Sequence, residues 1–235
     1  MTTARDMAAC IHVADISTFD EAFGTVGQRV GPRTGPDKRT QDDKEWYVVR
    51  RFLRAALLAK VFATPLALRK AQPPMPDFQI ESGDAQNPAF IEVTEATHPD
   101  DQREMTEFER SDKSTMLLGE IGGRFSGGAS EPGHEWASDI LDAIERKSGK
   151  AIYSMHDESR HLVINPNSNA SFLISNKEHE RKAFSILQQA IDQRRIDCTG
   201  IASGCAIHVL GKHFVCFDLL CSFRLVARVA DDLDF

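Results

Sequence analysis

The sequence predicts a mixed α/β domain, a central sheet flanked by helices. Three observations carry that expectation. Apolar residues recur every three to four positions from residue 44 onward, they alternate around residues 76–96, and the two rhythms keep exchanging places toward the C-terminus. The 235 residues, 41 % hydrophobic and 27 % charged, are enough for one sizeable core. No run approaches the roughly eighteen apolar residues that a membrane helix needs, so no membrane partner is expected.

The elements follow in order. Residues 1–43 are expected to form an N-terminal extension and linker, with at most one short packed element before VGQRVGPRTGPDKRTQDD, whose glycines, prolines and mixed charge read as a loop. The domain itself is expected over residues 44–235. From Lys44 to about Lys70, the residues Trp46, Val49, Leu53, Ala56 and Lys60, with Phe52 and Leu57 beside them, form one helical stripe. Asp42 or Asp43 would cap that helix, and Pro65 would break or kink it late. PDFQIESGDAQNPAFIEVTEA then reads as two short strands around a polar turn.

HPDDQREMTEFERSDKS is a polar segment, and the six glycines between Gly119 and Gly133 predict a loop. Trp136, Ile140, Leu141 and Ile144 predict a helix from Glu135 to Ser148, stopped by Gly149. His161 to Asn165 is a strand, and Lys177 to Asp192 a helix bearing Phe184, Ile186, Leu187 and Ile191. The region from Ile201 to Val229 reads as a hairpin, tightly turned at Gly211-Lys212, followed by a last strand.

The chemistry starts from the strand pair. Alternation puts Asp77, Gln79 and Glu81 on one side of the first strand, and it puts Glu92 and Thr94 opposite Ile91 and Val93 on the second. Two carboxylates can then meet at one rim of the sheet, a donor set suited to Mg²⁺, which is held by one or two carboxylates, waters and substrate phosphate oxygens. Such a site hydrolyses phosphodiesters, the cation polarising the phosphate and acidifying the attacking water.

The order of a helix, then Pro-Asp, a turn, an apolar-Glu-Val-Thr strand and a lysine-bearing helix resembles the PD-(D/E)XK nuclease superfamily, over roughly residues 44–165. The resemblance implies a restriction-endonuclease-like fold and a Mg²⁺- or Mn²⁺-dependent DNA endonuclease. Asp77 and Glu92 match the two metal-binding acids of that motif, and Glu45 resembles the extra acid that many members place near the metal. Thr94 stands where the motif has lysine. In members that have moved this lysine it comes from the following helix, which here offers Lys147 or Lys150. The alternative is a catalytically inactive module that keeps the fold and binds DNA or protein.

A rival reading is a zinc site in Cys205-Ala-Ile-His208 and His213-Phe-Val-Cys216. A hairpin turned at Gly211-Lys212 puts both histidines on one face and both cysteines on the other, so one tetrahedral ion cannot collect all four. The five cysteines are an odd number, four of them in an apolar C-terminal region, and are expected as free thiols. The formal charge of −7 argues against non-specific coating of nucleic acid but leaves local basic patches, such as Arg50-Arg51 with Arg54, Lys177 with Arg181-Lys182, and Arg194-Arg195. The start of the chain has no basic segment leading into an apolar core, so no secretory signal and a cytoplasmic location are expected. The expected partners are DNA and a divalent metal, with room for a homodimer.

Overall fold

The computed structural model describes residues 10–30, 38–72, 75–83, 87–111, 132–148, 159–167, 174, 176–194, 205–220 and 224–227. Eight strands form one mixed sheet in chain order: β1 (Ile11–Val13), β2 (Leu66–Lys70), β3 (Phe78–Ser82), β4 (Ala89–Ala96), β5 (Ser159–Pro166), β6 (Cys205–Leu210), β7 (Phe214–Phe217) and β8 (Arg224–Ala227). Strands β4, β5 and β6 run parallel to one another, and every other pairing is antiparallel. Parallel neighbours require long crossovers. Helices α3 (Pro99–Arg110) and α4 (Pro132–Ser148) lie in the first, and α5 (Lys177–Arg194) in the second.

Each face of the sheet has its own core. Helices α1 (Phe19–Phe23) and α2 (Gln41–Leu58) bring Phe19, Trp46, Val49, Phe52 and Leu53 onto Leu68, Phe78, Ile80, Ile91 and Val93. Helices α4 and α5 bring Trp136, Ile140, Ile144, Phe184 and Leu187 onto Leu162, Ile164, Ile207 and Val209 on the opposite face. The mixed sheet is therefore flanked by helices on both sides, as the α/β reading requires. It also explains the unbroken apolar run of β5, buried from Arg160 to Asn165 because both of its faces are covered.

Several elements differ from the sequence reading. Segment 10–30 is not a loose extension: β1 pairs with β2, and Phe19 and Phe23 stack inside the first core. The helical run from Lys44 stops at Leu58, well before Pro65, and its last predicted part is β2. Thr40, not Asp42 or Asp43, caps α2 in a reciprocal box with Asp43. The polar segment after β4 contains α3, started by the His98 side chain and by Pro99 in its first turn.

The β6–β7 turn falls one residue later than expected. Gly211 N–H donates to Phe214 O at 2.8 Å, Leu210 pairs with Val215, and Lys212-His213 form the tip. That changes the pairing by two residues and leaves every side chain on the expected face. Cys216 packs in the second core with Cys205 at its edge, while His208 points the other way, to His161 and Phe52. Burial pushes the thiols up, Cys205 to about 11 and Cys216 to about 12, so they act as small hydrophobes. His208 and the two cysteines lie on opposite sides of the sheet, so the zinc reading, which needs them around one ion, fails.

Candidate active site

The carboxylates meet where β3 parts from β4. The last paired rung is Phe78 with Ile91. Asp77 O still accepts from Ala71 N–H on the β2 side at 2.9 Å, so β2 and β3 continue together while β4 separates. The side chain of Asp77 enters the notch, and its Oδ2 accepts from Val93 N–H at 2.8 Å, replacing the missing rung. The Pro-Asp dipeptide therefore ends one ladder and turns a carboxylate into the gap.

Glu92 sits in the middle of β4, paired with Leu162 of β5, and shares with Thr94 the face covered by α4. Lys147, in the last turn of α4, reaches across and donates its Nζ to Glu92 Oε1. Both side chains are mostly buried, so the pair is shielded from salt. Lys150 lies outside the described residues. Of the two candidate lysines, Lys147 is the one placed at the acidic pair.

Glu45 enters from the other side. It is buried in the first turns of α2, accepts from Gln41 Nε2 at 2.9 Å, and is bonded by Lys70 Nζ at the end of β2. Lys70 also lies 4.6 Å from the centre of the Phe78 ring. Glu45 thus stands one lysine away from Asp77, held by cation and amide contacts of its own. Lys70 is a site residue the sequence reading missed. Its signal is the alternation of Leu66, Leu68 and Lys70 directly after Pro65, a pattern that also fits the tail of the preceding helix.

The electrostatics separate Asp77 from its neighbours. Glu45 and Glu92 each hold a lysine, whereas Asp77 is bonded to no lysine among the described residues. Burial, followed by the charge of Glu92, pushes its carboxyl above the ordinary value, and the Val93 N–H, Lys70 and Lys147 oppose that rise. An Asp77 carboxylate whose ionisation is opposed by burial and by the charge of Glu92, with lysines beyond, forms a site whose repulsion a hard dication relieves. Asp77 and Glu92 fit such an ion. Among the described residues, no group of three or more His, Cys, Asp or Glu is arranged to hold a metal.

Of the anticipated basic clusters, Arg50-Arg51 with Arg54 does other work. Arg50 and Arg54 clamp Asp20, and Arg50 also donates to Gly24 O and Val26 O. Arg51 is buried between Asn165 and Gly211 O and lies over the Tyr47 ring. These arginines tie segment 10–30 and the β6–β7 turn to α2. The cations that remain at the sheet end are Arg29, Arg39 and Lys44, two of them from the segment read as linker.

No protein-family model, no curated protein and no solved structure matches this chain. Among the described residues, no helix is long and apolar enough to cross a membrane.

Proposed function

We propose that the protein is a metal-dependent DNA endonuclease that hydrolyses phosphodiester bonds at the β3–β4 notch. One observation carries the reading: Asp77 and Glu92 converge there, and a lysine from the next helix, Lys147, is bonded to Glu92 on the face where Thr94 stands. Asp77 and Glu92 would hold Mg²⁺ or Mn²⁺, which when bound supplies positive charge to the phosphate and acidifies a water. The chain's own part is positioning and charge. Val93 N–H fixes the Asp77 carboxylate, Lys147 fixes Glu92 and brings a cation toward a phosphate in the notch, and Lys70 orients Glu45 behind them.

In the reaction, a water oxygen forms the new bond to phosphorus as the bond to the leaving sugar oxygen breaks; the attacking water's proton is lost to solvent or to a site carboxylate, and the leaving oxygen takes a proton from solvent. Purified protein is expected to nick supercoiled DNA with Mg²⁺ or Mn²⁺, and Asp77→Ala to lower the rate by about 100-fold or more. Full cleavage by Asp77→Ala would refute the assignment. The inactive-module reading draws on the same Lys147–Glu92 bond, taken as a structural ion pair that closes the notch. Calorimetry separates the two: metal binding lost in Asp77→Ala supports the nuclease, and no metal binding in the wild type supports the module.

A further inference from the structure

A cavity of about 480 Å³ opens on the α2 face of the sheet, within the size range of ligand pockets. Its lining includes Arg29, Arg39, Lys44, Tyr47, Asn165 and Asn167. Consecutive residues of α2 connect it to the notch. Glu45 faces Lys70 there, whereas Lys44 turns into the cavity and binds Glu95 at 3.0 Å. Along β4 the cavity's Glu95 lies three residues beyond Glu92, about 10 Å at the strand rise. Glu95 projects to the α2 face and Glu92 to the α4 face, so a polymer reaches from one to the other round the edge of β4 that is left open where β3 has parted from it.

The lining has a definite chemistry. Among the described residues of the lining, the one carboxylate is Glu95, which is taken by Lys44 and by Asn167 Nδ2 at 3.3 Å. Arg29 and Arg39 have no acidic or hydrogen-bonding partner among the described residues, so the cavity presents two uncompensated guanidinium groups. Asn165 Oδ1 accepts from Arg51 at 3.4 Å, which leaves its amide to donate, while Asn167 gives one amide N–H to Glu95 and keeps its oxygen to accept. Tyr47 adds an aromatic wall, braced by the Arg51 guanidinium 5.1 Å from its ring centre.

Guanidinium groups for a phosphate, an aromatic ring for stacking, and one donor beside one acceptor for a base edge are the needs of a single nucleotide. The Watson–Crick edge of every base presents a donor next to an acceptor, so this pair does not choose among bases. A paired base, buried in its stack, cannot enter a concavity.

Resting on the nuclease reading for the neighbouring notch, we propose that this cavity receives one unpaired nucleotide next to the phosphodiester to be cut. The preferred substrate is then DNA with a single-stranded or extruded base at the cleavage position rather than a fully paired duplex.

The test measures binding and cleavage separately on the full chain. In EDTA, fluorescence anisotropy compares a labelled single strand of about 12 nucleotides with a blunt duplex of the same sequence. The single strand is expected to bind about tenfold more tightly, and Tyr47→Leu or Asn167→Leu to remove most of that preference with little effect on the duplex. Arg39→Ala is expected to weaken both and to reduce the salt dependence by about one phosphate contact. Equal affinity for the two DNAs, or a preference unchanged in both the Tyr47 and the Asn167 variant, overturns the proposal. Cleavage by Asp77→Ala distinguishes the two readings. If it cuts normally while the single-strand preference still depends on Tyr47, the notch assignment fails and the nucleotide cavity stands. If wild-type cleavage depends on Asp77 but treats both DNAs alike, the reverse holds.

Discussion

The buried pair His161–His208 makes acid stability a direct reading of the core. His208 Nδ1 accepts from Asp218 N–H at 3.2 Å, so its proton is on Nε2, which lies 2.9 Å from His161 Nδ1. His161 then carries its proton on Nε2, facing Ser159 Oγ at 3.3 Å. In this neutral form all four ring nitrogens have a partner, and an added proton sets a donor against a donor. Phe52, Phe62 and Phe217 surround the pair. Burial pushes His161 down from 6.5 to about 4, and burial with the neighbouring His161 pushes His208 well below its ordinary value.

Because the folded state resists the proton that the unfolded chain accepts, this stability is complete above 6.5 and is lost as pH falls toward 4. At about 1.4 kcal/mol per pH unit, the separation is worth about 3 kcal/mol for His161, of which about 2.5 kcal/mol is gone by pH 4.5. Urea unfolding followed by Trp46 and Trp136, one in each core, reads both halves of the molecule. Between about pH 7.5 and pH 4.5 the wild type is expected to lose at least about 2.5 kcal/mol more than the double variant His161→Leu/His208→Leu, which carries neither proton site. Parallel stability curves for the two proteins would refute the reasoning, because the histidines would then be charging in the folded state as readily as in the unfolded chain.

Three further outcomes are expected. Gly211→Ala places a Cβ 1.6 Å from Glu180 Oε1 and 2.8 Å from Phe214 O; the Glu180 carboxylate, which caps the turn by accepting from His213 N–H, must move, and urea unfolding should show a loss of about 1–3 kcal/mol. Lys60 follows the last turn of α2 at φ 57°, where Val61 N–H closes back on Ala56 O; Lys60→Gly removes the left-handed cost and should raise stability by up to about 1 kcal/mol in the same assay. Lys147→Met withdraws a charge that helps Asp77 ionise, so cleavage should fall and the acid limb of its pH profile should move to higher pH; an unmoved limb would show that Lys147 does not act on the site.

What could be read in the sequence was what repeats over several residues. The α2 stripe from Trp46 to Ala56, the strands on either side of SGDAQN, the apolar run of β5 and the faces of the β6–β7 hairpin all express a period, and the cores impose that period. What could not be read was short or polar. Strand β1 has three residues, β2 follows a helical pattern with no change of hydrophobicity, and α3 has no apolar stripe, so its start shows only in His98, Pro99 and the acids after them. The acids of the candidate site were visible because a local dipeptide and strand carry them, whereas Lys70 and the arginines of the cavity come together only through long-range pairing of strands and helices.

The position of Thr94 follows from the same geometry. A lysine two residues after Glu92 would project from β4 onto the same face and supply its cation from within the strand. Threonine is too short and carries no charge, so the cation at Glu92 comes instead from the helix that packs above it. Helix α4 does so because its apolar stripe of Trp136, Ile140 and Ile144 docks on Leu162 and Ile164 and thereby fixes the register of its last turn over β4. Lys147, three residues after Ile144, then falls on the docked side with its stem along the packed surface and its ammonium at Glu92. The position of the charge is therefore set by core packing: a change that slides α4 by one residue would remove the cation from the notch as surely as deleting the lysine.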